Sequence, residues 1–576
     1  MRHRRFYICL ALLVVISSAI CLHTGYKAQA VSKGYGEAVY ADGWPKLIAA
    51  GINGSPIYLE VDGKPVDTGD MKLYMNEDRT LMLPESILRR VFRVSSRYYD
   101  GQRLVIEKNT TVLELYKDAF MMKVNGMEQP LETPMLELNG ELYVPSDVFE
   151  EYLEYEVNWS KADSMLSMVN RQPDARSLPV SYDYRKEGRA TTVRDQGDLG
   201  TCWAFAALNA LQTSLMPEQQ LLFSADHMSL QSGFSITQDD GGDYAMSLAY
   251  LAAWKGPVLE EEDPYGDGTS PAGLSPVAHV QEAQMLPRKD YEKIKEAVFL
   301  YGGVQTSIHM SLSGPSGSSD HYNADTAAYC YIGTEKINHD VVIVGWDDNY
   351  SRENFHNQPE SDGAFLCMNS WGDSFGQGGY FYISYDDTYI GIYNTVYTRV
   401  DGTDNYDHIY QADPCGAVGQ MGFNDETAYF AAAYQTGGTE TLDAVGFYAT
   451  DANTTYEIYL VRQFGSSEDL HLNQKLASGT FANAGYYTVD LDPVLLDAGE
   501  RFAVIIKITT PGAVYPVAIE FAKDEKTASV TLDDGETYAS MSGENWQRLE
   551  ETQSCNACLK VYTSDAQPSR TAQERE

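Results

Sequence analysis

Basic residues are scarce in this chain: 42 Lys and Arg stand against 82 Asp and Glu, a formal net charge of −40. Phosphate binding needs clustered Lys and Arg, so the balance argues against nucleic acid as a partner. It keeps the protein soluble and disfavours acidic substrates, without naming a function. Cysteine is scarce too, eight in 576 residues, which is too few for a disulfide scaffold in so long a chain. After the first 22 residues no apolar run approaches the length of about 20 that a membrane span requires. Composition is otherwise ordinary, with 43% hydrophobic and 12% aromatic residues and 41 Tyr, and gives no sign of long disorder. The length exceeds what one core serves and predicts three or four domains.

The N-terminus reads as an export signal. Arg2, Arg4 and Arg5 form a basic start, Phe6 to Ile20 an apolar run, and Ala28-Gln29-Ala30 offers small residues for cleavage. An uncleaved anchor is the competing reading, but its run, extended to Leu22, is short for a span. Residues 1–30 are therefore read as a signal peptide, and the mature protein as secreted or surface-associated, with no transmembrane span after cleavage. Cys9 and Cys21 fall in this segment, which leaves Cys202, Cys330, Cys367, Cys415, Cys555 and Cys558. Cys555-Asn-Ala-Cys558 has CxxC spacing but no second Cys or His pair nearby, so neither zinc nor redox chemistry is expected.

Residues 81–170 contain an internal repeat. Leu81-Met-Leu-Pro84, followed by Glu-Ser-Ile-Leu-Arg-Arg-Val-Phe92 and the alternating stretch Tyr98–Ile106, returns 61 residues later as Leu142-Tyr-Val-Pro145 through Trp159 and Met168. Each unit reads as a strand, a Pro-started helix and a strand. A polar link at 171–176 separates this module (55–170) from a block at 177–400. Beyond Asp401–Asn405, alternating runs such as Thr455–Val461 and Phe502–Lys507 predict a β-sandwich over 404–563, ahead of a polar tail.

Chemistry concentrates in the middle block. Gln196-Gly-Asp-Leu-Gly-Thr-Cys202-Trp203-Ala-Phe205 leads into a good helix former, Ala204–Gln212. A thiol at a helix N-terminus feels the positive end of the dipole, which favours thiolate. Gly197 and Gly200 allow a sharp turn and close backbone approach. Gln196 is able to fold its amide back toward the thiol and, with the Cys202 N–H, make an oxyanion hole. A buried structural cysteine explains the apolar helix but not the Gln-Gly-x-x-Gly approach. Among the histidines, His339 stands at the mouth of the strand run Val341-Val-Ile-Val-Gly345-Trp346 and is the candidate base. Asn369, in Phe365-Leu-Cys-Met-Asn369-Ser-Trp371-Gly372, is placed to accept the proton on the far ring nitrogen of His339, with Trp371 covering that bond.

Taken together, Leu178-Pro179…Tyr184-Arg185, Gln196-Gly…Cys202-Trp-Ala-Phe, Asn338-His339 and Asn369-Ser-Trp-Gly…Gly379-Tyr380 resemble the papain family of cysteine peptidases, in order and spacing, over roughly 220 residues. The resemblance implies an α+β, two-subdomain peptidase, one part helical and one β-barrel-like, flanked by a small N-terminal α+β repeat module and the C-terminal β-sandwich. It implies the catalytic set Cys202, His339, Asn369 and Gln196, and substrate contacts at Gly241, Gly242 and Trp371. Asp240-Gly241-Gly242-Asp243 is similar to the family's Gly-Gly strand, which pairs with a bound peptide backbone, and Gly302-Gly303-Val304 to the strand preceding the catalytic His. The chain departs from the family at Leu199, where a disulfide-forming cysteine is usual, and shows no helical inhibitory pro-segment. The 81–170 repeat resembles the copper amine oxidase N-terminal module of exported bacterial proteins, without a His cluster that would imply metal. The region after 403 resembles the lectin-like domain that follows such peptidases in some anaerobic Gram-positive bacteria, which implies a cell-surface glycan as a partner. A polypeptide is the implied substrate, and no cofactor or metal is needed. The rival readings are a cell-wall peptide amidase of the same Cys–His class, and a surface adhesin that keeps the peptidase block as scaffold. Neither flank supplies a catalytic residue, so residues 177–400 are expected to act alone.

Overall fold

The computed structural model describes residues 57–566 with short gaps, the longest being 67–72, 161–164 and 172–177, together with three two-residue strands before residue 50. The expected signal peptide, the 171–176 link beyond Arg171 and the tail from 567 lie outside the described residues. The chain divides into two compact units, 1–177 and 178–576.

In the first unit the two repeats meet through their leading strands. Leu81–Pro84 pairs antiparallel with Glu141–Pro145, Val144 opposite Leu83. Pro84 and Pro145 end these strands rather than start helices: a 3-10 turn at Glu85–Ile87 follows the first, and an α-helix at Asp147–Glu151, one residue beyond Ser146, follows the second. Phe92, Phe149 and Tyr155 close the core, with ring centroids 4.7 Å and 5.3 Å from Phe92.

The second unit opens with the expected helical and barrel-like parts. The helix Cys202–Leu215 is buried from Trp203 through Thr213. It lies between the helices Ala225–Leu230 and Tyr244–Ala252 and the strands of the barrel-like part, so apolar residues surround it on every side. His339–Asp347 is the central strand, paired antiparallel with Val304–Ile308 on one side and Ala364–Met368 on the other. Tyr380–Ser384 returns antiparallel along Ala364–Met368, with Asn369 at the start of the connection between them.

The C-terminal region is a two-layer β structure. A six-stranded sheet with Thr427–Gln435 and Arg501–Thr509 at its middle shares one core with Glu440–Ala449 and Leu559–Asp565, burying Phe430, Ile458 and Ile506 against Val445, Phe447 and Val561. Its second layer is not separate from the middle block. His279–Met285 pairs with Asn394–Asp401 on one edge and with Ala484–Leu496 on the other, Ala283 opposite Tyr486 and Gln284 opposite Gly485. A Cβ on Gly485 would stand 2.2 Å from the Ala283 carbonyl oxygen, so this seam demands glycine. The expectation that 177–400 forms a self-contained unit meets an obstacle here: one 13-stranded sheet runs through both regions.

Candidate active site

The site is built where the buried helix begins. Arg194 anchors the approach loop, donating to the Phe223 carbonyl (2.7 Å) and to Glu260 (2.9 Å) with its guanidinium over the Phe205 ring. Gly197, at φ +61°, turns the chain. Gly200 serves a close approach, though to protein rather than ligand: a Cβ there would lie 3.0–3.1 Å from backbone atoms of Gln238, Asp239 and Gly241. Cys202 then starts the helix, without a side-chain cap from Thr201, whose hydroxyl instead meets Tyr265 Oη at 2.7 Å.

His339 opens the central strand, and its Nε2 stands 2.7 Å from Asn369 Oδ1. That contact requires Nε2 to carry the proton, leaving Nδ1 as the free nitrogen. Trp371 lies over the pair, its ring centroid 5.0 Å from that of His339, and His339 and Asn369 are both buried. The Cys202 thiol meets the backbone N–H of Asp340, the residue after His339, and the N–H groups of Trp203 and Cys202 at the helix start.

Gln196 is buried and held at every polar atom but one N–H. Its N donates to Ser370 O (2.8 Å), its Oε1 accepts from Ser370 Oγ (2.6 Å), its O accepts from Tyr265 Oη (2.8 Å), and its Nε2 donates to Leu199 O (2.8 Å). One amide hydrogen is thereby committed to the loop, and the second is left over for a ligand. Gly241 and Gly242 border the same helix start: a Cβ on Gly242 would stand 2.5 Å from the Trp203 ring.

Burial dominates the electrostatics. It pushes the Cys202 thiol up to about 12, helped by the carboxylate of Asp340 and opposed by the three N–H groups, and lowers His339 to about 4 against the Asn369 hydrogen bond. The helix terminus expected to hold a thiolate is thus outweighed when the thiol ionises alone. Both shifts favour the uncharged forms, a neutral thiol and a neutral imidazole. Asp340 is itself raised to about 6 by burial, against hydrogen bonds from Ser307 and Gln305, the latter 2.9 Å long.

All the sequence-predicted residues thus gather around one helix start. Sequence reasoning missed Ser370 and Tyr265, which orient Gln196, and Asp340 beside the thiol. Ser370 lies within the Asn-Ser-Trp motif and was findable there, whereas Tyr265 stands in a loop with no local pattern. Cys330, Cys367, Cys415, Cys555 and Cys558 are buried free thiols, and among the described residues no group of three or more His, Cys, Asp or Glu is placed to hold a metal.

Comparison with known proteins matches three family models. These are "Papain family cysteine protease" over 178–400, "Lectin like domain" over 409–563 and "Copper amine oxidase N-terminal domain" over 60–168. Cathepsin K of Mus musculus is 26% identical over 208 residues, 35% of this chain and 59% of that protein. The viral cathepsin of Choristoneura fumiferana defective polyhedrosis virus is 27% identical over 233 residues, 39% and 65%. The chain therefore spans about 60% of the length of these relatives. Among solved structures, the clostridial cysteine protease Cwp84 after propeptide cleavage is similar at 26% identity and a TM-score of 0.60, over 67% of this chain and 99% of that one. The cysteine protease and lectin-like domains of Cwp84, a surface layer associated protein of Clostridium difficile, align at 26% identity and 0.58, over 68% and 89%.

Proposed function

We infer that this chain, whose residues 178–400 match the papain family of cysteine peptidases, hydrolyses peptide bonds with Cys202 as nucleophile, His339 as base and acid, and Asn369 orienting the imidazole. The Cys202 Sγ attacks the substrate carbonyl carbon as its proton passes to His339 Nδ1. The oxyanion forms against the Cys202 N–H and the remaining N–H of Gln196. Collapse breaks the C–N bond, His339 delivers its proton to the leaving amine, and a thioester remains on Cys202. Water, deprotonated by His339, attacks the thioester, releases the acid and restores the thiol. Gly241 and Gly242 receive the substrate backbone, and Trp371 keeps water off the His339–Asn369 bond.

The observation that carries this reading is the 2.7 Å His339–Asn369 contact next to a thiol at a helix start. The match of 409–563 to a lectin-like family supports a carbohydrate ligand for that region. The basic and apolar N-terminus, with a relative described as surface layer associated, supports a place outside the cytoplasm, at the cell surface or secreted. The experiment is a peptide-library cleavage profile of the mature protein beside Cys202→Ala, with a thiol-reactive peptidyl probe. Turnover and labelling should be confined to the parent chain. A folded Cys202→Ala protein with full activity would sink the assignment.

A further inference from the structure

The lectin-like region touches the peptidase beside the cleft. A short 3-10 turn, Glu525–Thr527, is capped by Asp524, whose carboxylate accepts from Lys526 N (3.0 Å) and Thr527 N (3.2 Å). This turn is fastened along the 233–241 loop of the peptidase. Ser529 Oγ donates to Gly233 O (2.6 Å), Ser235 N donates to Lys526 O (2.8 Å), and Lys526 Nζ donates to Gly241 O (3.1 Å). The Lys526 ammonium also acts on Asp240, whose carboxylate closes the Thr237 cap of the same loop. From the other side the loop rests on Gly200 and Trp203, the approach to Cys202. Gly241 and Gly242 are therefore held between the catalytic helix and a lysine contributed by another domain.

We propose that Lys526 is a positioning residue of the peptidase, fixing the Gly241–Gly242 strand so that an extended polypeptide finds its pairing edge already formed. The proposal rests on the peptidase reading above. A loop released from this clamp has to be ordered by the substrate itself, which weakens binding. Lys526 holds the Gly241 carbonyl rather than the Cys202 thiol or His339, so the loss falls on ground state and transition state alike and appears in KM rather than kcat. The lectin-like region is on this view part of the cleft wall as well as a carbohydrate-binding candidate.

The test uses the full mature chain and its Lys526→Met and Lys526→Arg variants. For a fluorogenic peptide extending four residues to the N-terminal side of the cleaved bond, Lys526→Met should raise KM about 5–10-fold, the worth of one ordinary hydrogen bond, with kcat unchanged. A substrate ending one residue before the bond should show no change, and Lys526→Arg should restore the extended substrate. Amide exchange read by mass spectrometry should quicken in 233–243 of Lys526→Met and nowhere in the barrel-like part. Unchanged exchange in 233–243, or a KM effect equal for long and short substrates, overturns the proposal. Absence of Cys202-dependent turnover in the parent chain would instead overturn the peptidase reading, and exchange still decides what Lys526 does.

Discussion

Ser370 Oγ donates a 2.6 Å hydrogen bond to Gln196 Oε1, which ties the turn carrying Asn369 to the loop carrying Gln196. The same two residues are joined by main chain, Gln196 N to Ser370 O at 2.8 Å. One turn thus carries Asn369, which meets His339, and Ser370, which holds Gln196.

Ser370→Ala should therefore lower kcat by roughly 3–30-fold with little change in KM, because the Gln196 amide is loosened rather than removed. Gln196→Ala should cost roughly 10²–10³ in kcat, the usual loss for one oxyanion donor. Steady-state kinetics on one peptide substrate ranks the two, and a Ser370→Ala defect larger than that of Gln196→Ala would contradict the arrangement.

Within the triad the expected order of damage is Cys202→Ala, then His339→Ala, then Asn369→Ala. The first removes the nucleophile and the second the base, while the third only frees the imidazole to turn. Circular dichroism should show all three folded, and Asn369→Ala activity should be measurable where Cys202→Ala activity is not.

Asp340 predicts a pH effect with a definite sign. Its folded value is about 6 against an ordinary 3.8, so below about pH 4 the proton is held in both folded and unfolded chains and the carboxyl costs nothing. As pH rises through 6 the buried carboxylate ionises at a cost, and its charge disfavours the neighbouring thiolate. Asp340→Asn should accordingly stabilise the chain by about 1–3 kcal/mol at pH 8 and by nothing at pH 4. Alkylation of Cys202 by iodoacetamide should be faster in the variant at pH 8. Chemical denaturation at the two pH values checks the first statement, and a slower alkylation would reverse the second.

Cutting the chain after residue 400 should destabilise the peptidase. The cut exposes the His279–Met285 edge that pairs with Ala484–Leu496, and removes the Arg399–Asp490 ion pair (2.9 Å) and the Thr488–Gln281 bond (2.7 Å). An unpaired edge strand invites association. Residues 178–400 should therefore melt well below 178–566 and elute as larger species in size-exclusion chromatography. A monomeric 178–400 with the same melting temperature and turnover would show that the shared sheet is dispensable.

The sequence by itself marked out the block that matches the papain family and the candidate residues within it, because the proposed chemistry leaves local marks. A helix-forming run after Cys202, a strand run after His339 and a glycine-rich turn after Asn369 are each written in neighbouring residues. The two-layer β region was legible for the same reason, in alternating runs such as Thr455–Val461 and Phe502–Lys507. Tertiary structure alone decided what depends on distant partners. The joining of two domains through Ala283 and Tyr486, the grip of Lys526 on Gly241 and the support of Gln196 by Tyr265 have no local signature, since each joins segments that only folding brings together. Burial likewise decided the direction in which the Cys202 thiol shifts: a helix N-terminus can be read along the chain, but the removal of water from around the thiol cannot.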